Sequence, residues 1–345
     1  MSFLDQAPAK KNYNALGYER NPFPARGEVR SDVYFPRPEL KELENKLQSF
    51  VFDKGKGAFF AIEGNRGVGK TNFLQFVESK LGSLSPEKGI AVRYVASQLV
   101  SPRHLGEAVV AALTEARFKT WIGGGPKVAS YLVETDLGRF ARYARKDKPT
   151  GSALAEAAKF LMRWLSGHQT YAAERQQYGL WAKERLDPGA AFPFLRAIVD
   201  SMVSAGSVRG VVLLIDEAED LLTEAETRDV YAQALKALVN SFNFEHLFIV
   251  MAGQEGAISR IGTQLTSLAS RWRVKRLDPI KSAKSAVELA RAYLGDATKE
   301  RNRRPNDVEV EAAFGRLAPQ YPTGVPQREL LSELHEWVEN KVTQK

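Results

Sequence analysis

The stretch AFFAIEGNRGVGKTNFLQF, Ala58–Phe76, decides the fold of this chain. Apolar residues run up to Glu63, a loop punctuated by glycines follows, and apolar residues then recur at helical spacing. A strand, a G-x-x-x-x-G-K-T loop and a helix in this order form a phosphate-binding loop, because backbone amides curl around an anion and glycines let it approach closely. The order predicts that the chain binds a nucleoside triphosphate.

The loop offers three kinds of contact to such a ligand. The Lys70 ammonium is expected to reach the β- and γ-phosphates, the Thr71 hydroxyl to bind Mg²⁺, and the helix N-terminus to attract the anion. An ordinary turn is the disfavoured alternative, because a buried strand precedes the loop and an amphipathic helix follows it. The residues predicted to contact the nucleotide here are Gly64, Asn65, Arg66, Gly67, Val68, Gly69, Lys70, Thr71 and Asn72.

The second half of the nucleotide signature is GVVLLIDEAEDLL, Gly210–Leu222. The apolar run Val211–Ile215 predicts a strand buried on both faces, as in a parallel sheet. At its end, Asp216 is expected to hold Mg²⁺, directly or through water, and Glu217 to orient and deprotonate the attacking water. The alternative is that these acids only favour the dipole of a following helix.

Composition places the chain among ordinary globular proteins. Its 345 residues suffice for two or so domains, with 44% hydrophobic and 26% charged residues. The lack of cysteine excludes disulfides, thiol catalysis and cysteine-bound zinc. The N-terminus has no apolar core of signal-peptide length, and no apolar run approaches the ~20 residues of a membrane helix. A cytoplasmic location without a membrane partner is therefore expected.

The charge of the chain favours a polyanionic partner, although only mildly. The net charge is +8 and the pI is near 9.4, but 41 acidic residues are interspersed among 49 basic ones. Two stretches are richer in bases, Arg139–Lys148 (RFARYARKDK) and Arg271–Arg304. Either a nucleic-acid contact or a merely solvated surface explains them.

Repeated strand and helix units predict a doubly wound α/β domain. The pattern predicts a single helix over residues 102–118 and a helical insertion over about 115–190, and it is helical again from residue 282. Further strands are expected at Ile90–Ala96, at Leu247–Ala252 and near Arg273–Leu277. The insertion helices are expected at 127–146, 152–166 and 170–185. The predicted domains are an N-terminal arm (1–40), a core (41–280) and a helical lid (281–345).

With these motifs the chain resembles the AAA+ ATPases. The resemblance rests on GNRGVGKT, VVLLIDEAED, the strand end MAGQEG, SLASRWRVKRLDPI and the helical region after residue 281. The order of these segments is similar to the initiator-type branch, which includes origin-recognition ATPases, TnsC-type transposition regulators and ExeA-like proteins. The segment MRWLSGHQTYAAERQQYGL adds a similarity to BREX-type phage-defence ATP-binding proteins. The resemblance implies a P-loop AAA+ sheet with a helical insertion, an all-α lid, and hydrolysis of ATP with Mg²⁺.

The resemblance also implies roles for further residues. Gln254 takes the place of a polar sensor that touches the γ-phosphate and the attacking water. Arg271 matches the arginine that such proteins offer to a neighbour's nucleotide, with Arg273 and Arg276 as competitors. A second sensor arginine is expected in a G-x-P-R pattern of the lid, but GVPQREL places Arg328 one position late, a ~100° rotation on a helix. Its contact with the phosphates therefore stays open.

Three functions are compatible with these residues. The first is an ATP-driven switch that assembles as a homo-oligomeric ring or spiral on DNA, which Arg139–Lys148 and the helix near Lys299–Arg304 would contact mainly through phosphates. The second is a protein-interaction switch that acts through the helical insertion without binding nucleic acid. The third, a protein-remodelling ring, ranks last because SQLVSPRHLGE lacks an aromatic pore loop.

The histidines predict no metal site. They are scattered without metal-ligand spacing, so structural roles are expected. No Ser-His-Asp set or nuclease-like acidic cluster stands out either, which gives no support for a second enzymatic activity. The four histidines are His104, His168, His246 and His335.

Overall fold

The computed structural model describes residues 13, 18–53, 55–95, 103–124, 128, 132, 137–179, 188–219, 225–264, 271–295 and 305–343. The chain forms two compact units that alternate along the sequence. The sheet unit comprises Pro38–Glu63 and Val77–Arg276, and the lid unit comprises Met1–Arg37, Gly64–Phe76 and Leu277–Lys345.

A parallel sheet of five described strands forms the framework of the sheet unit, in the order β2-β3-β4-β1-β5. Every residue of β1, β3 and β4 is buried, as expected for strands covered on both faces. The predicted doubly wound parallel sheet is therefore confirmed. The strands are β1 Phe59–Glu63, β2 Ile90–Val95, β3 Gly210–Ile215, β4 Leu247–Gly253 and β5 Trp272–Arg276.

The strand register determines which residues leave the sheet at the same edge. Glu63 at the end of β1 pairs with Gly253 at the end of β4. Ile215 at the end of β3 pairs with Met251 of β4 and with Val95 of β2. The segments that follow β1, β3 and β4 therefore start from the carboxyl edge, where ligands bind in open parallel sheets.

Helices pack onto this sheet through apolar stripes. In the first of them, Leu43, Leu47 and Phe50 are buried at the predicted helical spacing. No helix in the described part of the chain is long and apolar enough to cross a membrane. The helices up to the lid are α1 Lys41–Phe52, α2 Lys70–Lys88, α3 Arg103–Leu113, α4 Glu115–Gly123, α5 Gly138–Lys146, α6 Gly151–Leu165, α7 Ala172–Gln177, α8 Pro188–Ser204, α9 Ala225–Phe242 and α10 Ala257–Gln264.

The single helix predicted over residues 102–118 is wrong. Thr114 has a φ of 57°, outside the helical region, so it ends the hydrogen-bond ladder of α3 and α4 begins directly after it. The new helix brings Phe118 and Trp121 into the core. The predicted helix over 170–185 ends at Gln177, and residues 180–187 lie outside the described ones. Most of the predicted helix over 127–146 before Leu137 also lies outside them.

The lid unit is helical, which confirms the predicted all-α lid. Its helices are α11 Ala283–Leu294, α12 Asp307–Leu317 and α13 Gln327–Thr343. Side chains cap two of the starts: Ser282 accepts from the amide of Ser285, and Asn306 accepts from that of Glu309. The arm residue Phe23 is buried in the core of this unit.

Candidate functional site

Lys70 is the first residue of α2 and is only 9% exposed. Its Nζ donates to the carbonyl oxygens of Gly64 (2.6 Å) and Asn65 (3.0 Å). These two acceptors offset part of the cost of removing the ammonium from water. A phosphate oxygen is a stronger, charged acceptor, so the ammonium is already placed at the loop that a phosphate would enter.

Two glycines give the loop a backbone that other residues rarely adopt. Gly67 has a φ of +80° and Gly69 has a φ of +106°. A Cβ on Gly69 would lie 2.5 Å from Oε1 of Gln327, and one on Gly67 would lie 3.1 Å from Cβ of Arg328. The loop therefore depends on glycine for its conformation and for its close contact with the start of α13.

The other predicted loop residues differ in exposure. Asn65 and Arg66 are exposed, Thr71 is half-buried in the first turn of α2, and Val68 is buried. Because Val68 is 1% exposed, its side chain is packed inside the protein and anchors the loop. Thr71 is not fully buried, which is compatible with its expected role as a ligand of Mg²⁺.

Asn72 connects the loop helix to the N-terminal arm. Its Nδ2 donates to the carbonyl oxygens of Arg30 (2.7 Å) and Val33 (3.2 Å). Close by, the Tyr34 ring stacks on Phe76 of the same helix at a centroid distance of 4.9 Å. The structure thus places the Asn72 amide on the arm, where it fixes the arm's backbone against α2.

The start of α13 lies against the loop. The backbone N–H of Arg328 donates to the Gly67 carbonyl at 2.9 Å, while the residue itself is exposed. Gln327 is 5% exposed and hydrogen-bonds to the Tyr293 hydroxyl. Burial raises the pKa of Tyr293 to about 12, an effect that the Gln327 hydrogen bond partly offsets. Sequence reasoning missed Gln327, although it stands directly after Pro326, where the G-x-P-R pattern expects its arginine.

Asp216 follows β3 at the carboxyl edge of the sheet and is 4% exposed. Its Oδ2 accepts from the Tyr94 hydroxyl at 3.0 Å, and its Oδ1 accepts from the Glu217 amide at 2.9 Å. Both of these donors are neutral, and within the described part of the chain no basic side chain forms an ion pair with this buried carboxyl group. A hard divalent cation such as Mg²⁺ fits such an oxygen donor.

Glu217 has the exposure and the backbone of a reactive residue. It is exposed, next to a buried carboxylate, and its φ of 51° lies in the left-handed region. A non-glycine residue in this region is strained by about 1–3 kcal/mol, and such strain is concentrated at functional sites. In this conformation the backbone turns after Asp216, and the Asp216 carboxylate accepts a hydrogen bond from the backbone N–H of Glu217.

A third acid of the same segment fixes the end of the neighbouring strand. The backbone N–H of Gln254, directly after β4, donates to Oε2 of Glu219 at 3.0 Å. This hydrogen bond leaves the half-buried Gln254 side chain available at the carboxyl edge. The sequence motifs indicated Gln254, whereas Glu219 was missed.

The three competing arginines have different partners. Arg273 forms an ion pair with Glu42, and Arg276 forms one with Glu255. The guanidinium of Arg271 donates to the neutral Oδ1 of Asn240 at 2.7 Å. Of the three, Arg271 is therefore the one whose recorded partner leaves its positive charge uncompensated.

Among the described residues, no group of three or more histidine or acidic side chains is placed to bind a metal ion. His104 and His168 both lie near Glu107, at 3.9 and 3.3 Å. His246 lies near Asp200, and its charge also interacts with Glu245.

A comparison with known families matches residues 130–288 with the family described as BREX system ATP-binding protein BrxC/D. No curated protein matches the chain. Among solved structures, the Aeropyrum pernix ORC2 protein is similar at 11% identity and a TM-score of 0.44, covering 90% of this chain and 70% of that one.

Two further solved structures are similar. The A. pernix ORC1 protein in complex with DNA shares 16% identity at a TM-score of 0.45, and the match covers 90% of this chain and 62% of that one. The Walker-type ATPase PABY2304 of Pyrococcus abyssi shares 14% identity at a TM-score of 0.49, over 94% and 74% of the chains. Over residues 130–288 the chain is similar to the BREX ATP-binding proteins, as the segment MRWLSGHQTYAAERQQYGL indicated.

Proposed function

We propose that the protein is a Mg²⁺-dependent AAA+ ATPase whose nucleotide cycle drives oligomer assembly and a conformational switch on DNA, in a phage-defence or mobile-element system. The observation that carries the proposal is the buried Asp216, whose donors among the described residues are neutral, followed by Glu217 with its left-handed backbone. The segment begins at the same sheet edge from which β1 leads into the Gly64–Thr71 loop. The family match over residues 130–288 supports ATP binding and a defence role.

The proposal divides the work among the chain's own residues. Lys70 neutralises the β- and γ-phosphates, while Thr71 and Asp216 hold the metal ion, which would screen the phosphate charge. Glu217 takes the proton of the attacking water, and Gln254 orients that water against the γ-phosphate. The backbone amides of Gly67 and Val68, and of the other loop residues Gly64, Asn65, Arg66, Gly69 and Asn72, cradle or support the phosphates.

Two substitutions test the nucleotide chemistry. Lys70→Ala is expected to abolish ATP binding, because it removes the ammonium group that the Gly64 and Asn65 carbonyls hold at the loop. Glu217→Gln is expected to retain binding but to slow hydrolysis by at least about a hundredfold and to stabilise the oligomer. Fluorescent ATP-analogue binding and phosphate release separate the two effects. Unchanged turnover in Glu217→Gln would remove Glu217 from this role.

Arg271 is proposed to complete the site of a neighbouring subunit. Its guanidinium, which donates to the neutral amide oxygen of Asn240, suits the charge that develops on a transferring phosphate. Arg271→Ala and Lys70→Ala should each be inactive alone. Mixed together they should regain part of the activity, because one kind of interface then combines an intact loop with an intact Arg271. Lack of recovery in verified mixed oligomers would place the arginine elsewhere, with Arg273 and Arg276 tested next.

DNA is proposed as the partner of the assembled state because the chain is basic overall. The second candidate is a switch that contacts a protein through the helical insertion instead. Fluorescence anisotropy with labelled duplex DNA, with and without ATP analogue, distinguishes them. Affinity that falls steeply between low and moderate salt supports DNA. Absent binding, or binding whose affinity does not change with salt, favours the protein partner.

The second stretch expected to contact DNA, Lys299–Arg304, lies outside the described residues.

Arg328 is proposed to contact the phosphates in the nucleotide-bound state. The backbone N–H of Arg328 donates to the Gly67 carbonyl in the loop, and its side chain is exposed, so the guanidinium can extend toward a bound nucleotide. Functionally, residues 1–40 would act as an arm, 41–280 as the ATPase core and 281–345 as a lid. A cytoplasmic location agrees with these roles.

A further inference from the structure

Helix α5 is anchored by one aromatic face. Phe140, Ala141 and Ala144 are buried, and the Phe140 ring stacks on Trp121 at a centroid distance of 6.1 Å. The half-buried Tyr143 packs edge-on against Tyr178 at 5.1 Å. These contacts fix the rotation of the helix about its axis, so its opposite face is presented in a defined orientation.

The opposite face is cationic. Arg139, Arg142 and Lys146 are exposed, and at 100° per residue they fall within about 60° of one another, away from the buried face. Arg145 and Lys148 flank them, and both are exposed. The stretch Arg139–Lys148 contains five basic residues and a single acidic one, Asp147. No ion pair is recorded for Arg142, Arg145 or Lys146 within the described part of the chain.

The chemistry of this face selects the class of partner. Protein interfaces are centred on buried aromatic or apolar anchors, and α5 presents none. The exposed large apolar side chains among the described residues all lie elsewhere, at Val29, Phe52, Tyr171, Val274 and Val308. A row of arginine and lysine on a helix that exposes no large apolar side chain is suited to bind the phosphates of a nucleic acid.

We infer that Arg139, Arg142 and Lys146 form a contact for the phosphate backbone of duplex DNA, which binds without reading sequence. The inference rests on the proposed association with DNA and assigns it to one helix. The three residues span about 10 Å along the helix axis, at 1.5 Å per residue. Phosphates of one strand follow each other every ~3.4 Å along the duplex, so the row can meet about three of them.

The test compares two variants of the full chain on fluorescein-labelled duplex DNA. One variant carries Arg139→Gln, Arg142→Gln and Lys146→Gln. The control carries Lys41→Gln, Lys56→Gln and Lys284→Gln, which removes three exposed charges elsewhere. Each lost phosphate contact lowers the slope of log affinity against log salt by about 0.9. The first variant should therefore lose about 2 to 3 from the slope, and the control should lose much less.

Each outcome decides a different point. An unchanged slope in the α5 variant overturns the inference, and so does an equal loss in the control, since net charge alone would then explain it. If the wild type does not bind DNA, the DNA part of the proposed function fails as well. ATP binding and hydrolysis should be unchanged in both variants, because none of the six residues belongs to the nucleotide machinery.

Discussion

Tyr94 holds the buried carboxylate of Asp216 in place with its hydroxyl. The neighbouring strands set this contact: Tyr94 pairs with Leu214 in the register of β2 and β3, two positions before Asp216. The apolar run and the acidic pair predict the position of Asp216 from sequence. The partner of that carboxylate follows from strand order and register, which a single sequence does not encode locally. Tyr94 therefore appears only in the structure.

Removing this hydroxyl should weaken the metal site without disturbing the fold. Tyr94→Phe keeps the ring but takes one hydrogen bond, worth about 0.5–1.5 kcal/mol, from a carboxylate that needs a fixed orientation. The Mg²⁺ concentration for half-maximal binding of an ATP analogue should rise about three- to tenfold. Tyr171→Phe, at a side chain exposed by 75%, is the matched control. An unchanged Mg²⁺ requirement would contradict the positioning role of Tyr94.

Glu217 should show a conflict between stability and function. Its φ of 51° suits glycine, so Glu217→Gly should be more stable than Glu217→Ala by about 1 kcal/mol, while both lose hydrolysis. Denaturant unfolding of the two variants measures the difference, with phosphate release as the second readout. If alanine is as stable as glycine here, the left-handed backbone is not strained in solution.

At the scale of elements, the contact between the loop and the start of α13 could not be predicted in full from the sequence. The motif Gly64–Thr71 predicts the loop itself, because the loop's conformation depends on glycines that lie within the motif. The packing of Gln327 against Gly69 depends on how the lid helices fold back, and these lie far along the chain. The break at Thr114 was missed for a similar reason, since tertiary burial of α4 outweighs the local preference for one continuous helix.

Gly69→Ala should disable the loop. The added Cβ would meet Oε1 of Gln327 at 2.5 Å, on a backbone with a φ of +106° that alanine rarely adopts. ATP affinity should fall about ten- to a hundredfold, as expected for a strain of 1–3 kcal/mol. Gly82→Ala, in the helix α2 that follows the loop, is the control, since a Cβ there meets nothing within 4 Å. It should leave affinity unchanged and stabilise α2 by up to about 1 kcal/mol.

A loss of ATP affinity in both glycine variants would mean that nucleotide binding is sensitive to any added side chain in the loop or in α2. In that case the close approach of Gln327 would not explain the result. Gln327→Ala combined with Gly69→Ala removes the steric part alone. Partial recovery of ATP affinity in this double variant would assign the effect to the collision and the remainder to the backbone.

Tyr293 gives the lid a pH dependence at alkaline pH. Its pKa is raised to about 12 from 10.0, mainly by burial, so the folded lid unit favours the protonated phenol. This contribution to stability is present below pH 10 and is lost as the pH rises toward 12. Tyr293→Phe should show a smaller fall in unfolding free energy over this range, and one fewer late-titrating phenol in the ultraviolet. An equal fall in both proteins would argue against burial of this hydroxyl in solution.

At the scale of the whole molecule, ATP with Mg²⁺ should raise the unfolding temperature by linkage. Ligand at a hundred times its dissociation constant stabilises the folded state by about 2.7 kcal/mol. The wild type and Glu217→Gln should both shift, because both bind. Lys70→Ala should not shift, and differential scanning fluorimetry measures all three. An equal shift in Lys70→Ala would show that the nucleotide binds away from the loop.

The hydrogen bond from Arg328 to Gly67 has a consequence for synthesis of the protein. The ribosome makes Gly67 about 260 residues before Arg328. At about 5–20 residues per second, this interval lasts on the order of ten seconds to a minute. During that time the loop emerges without its neighbour from the lid unit. A nascent chain therefore carries the loop sequence well before the start of α13, which donates a hydrogen bond to the loop, has been made.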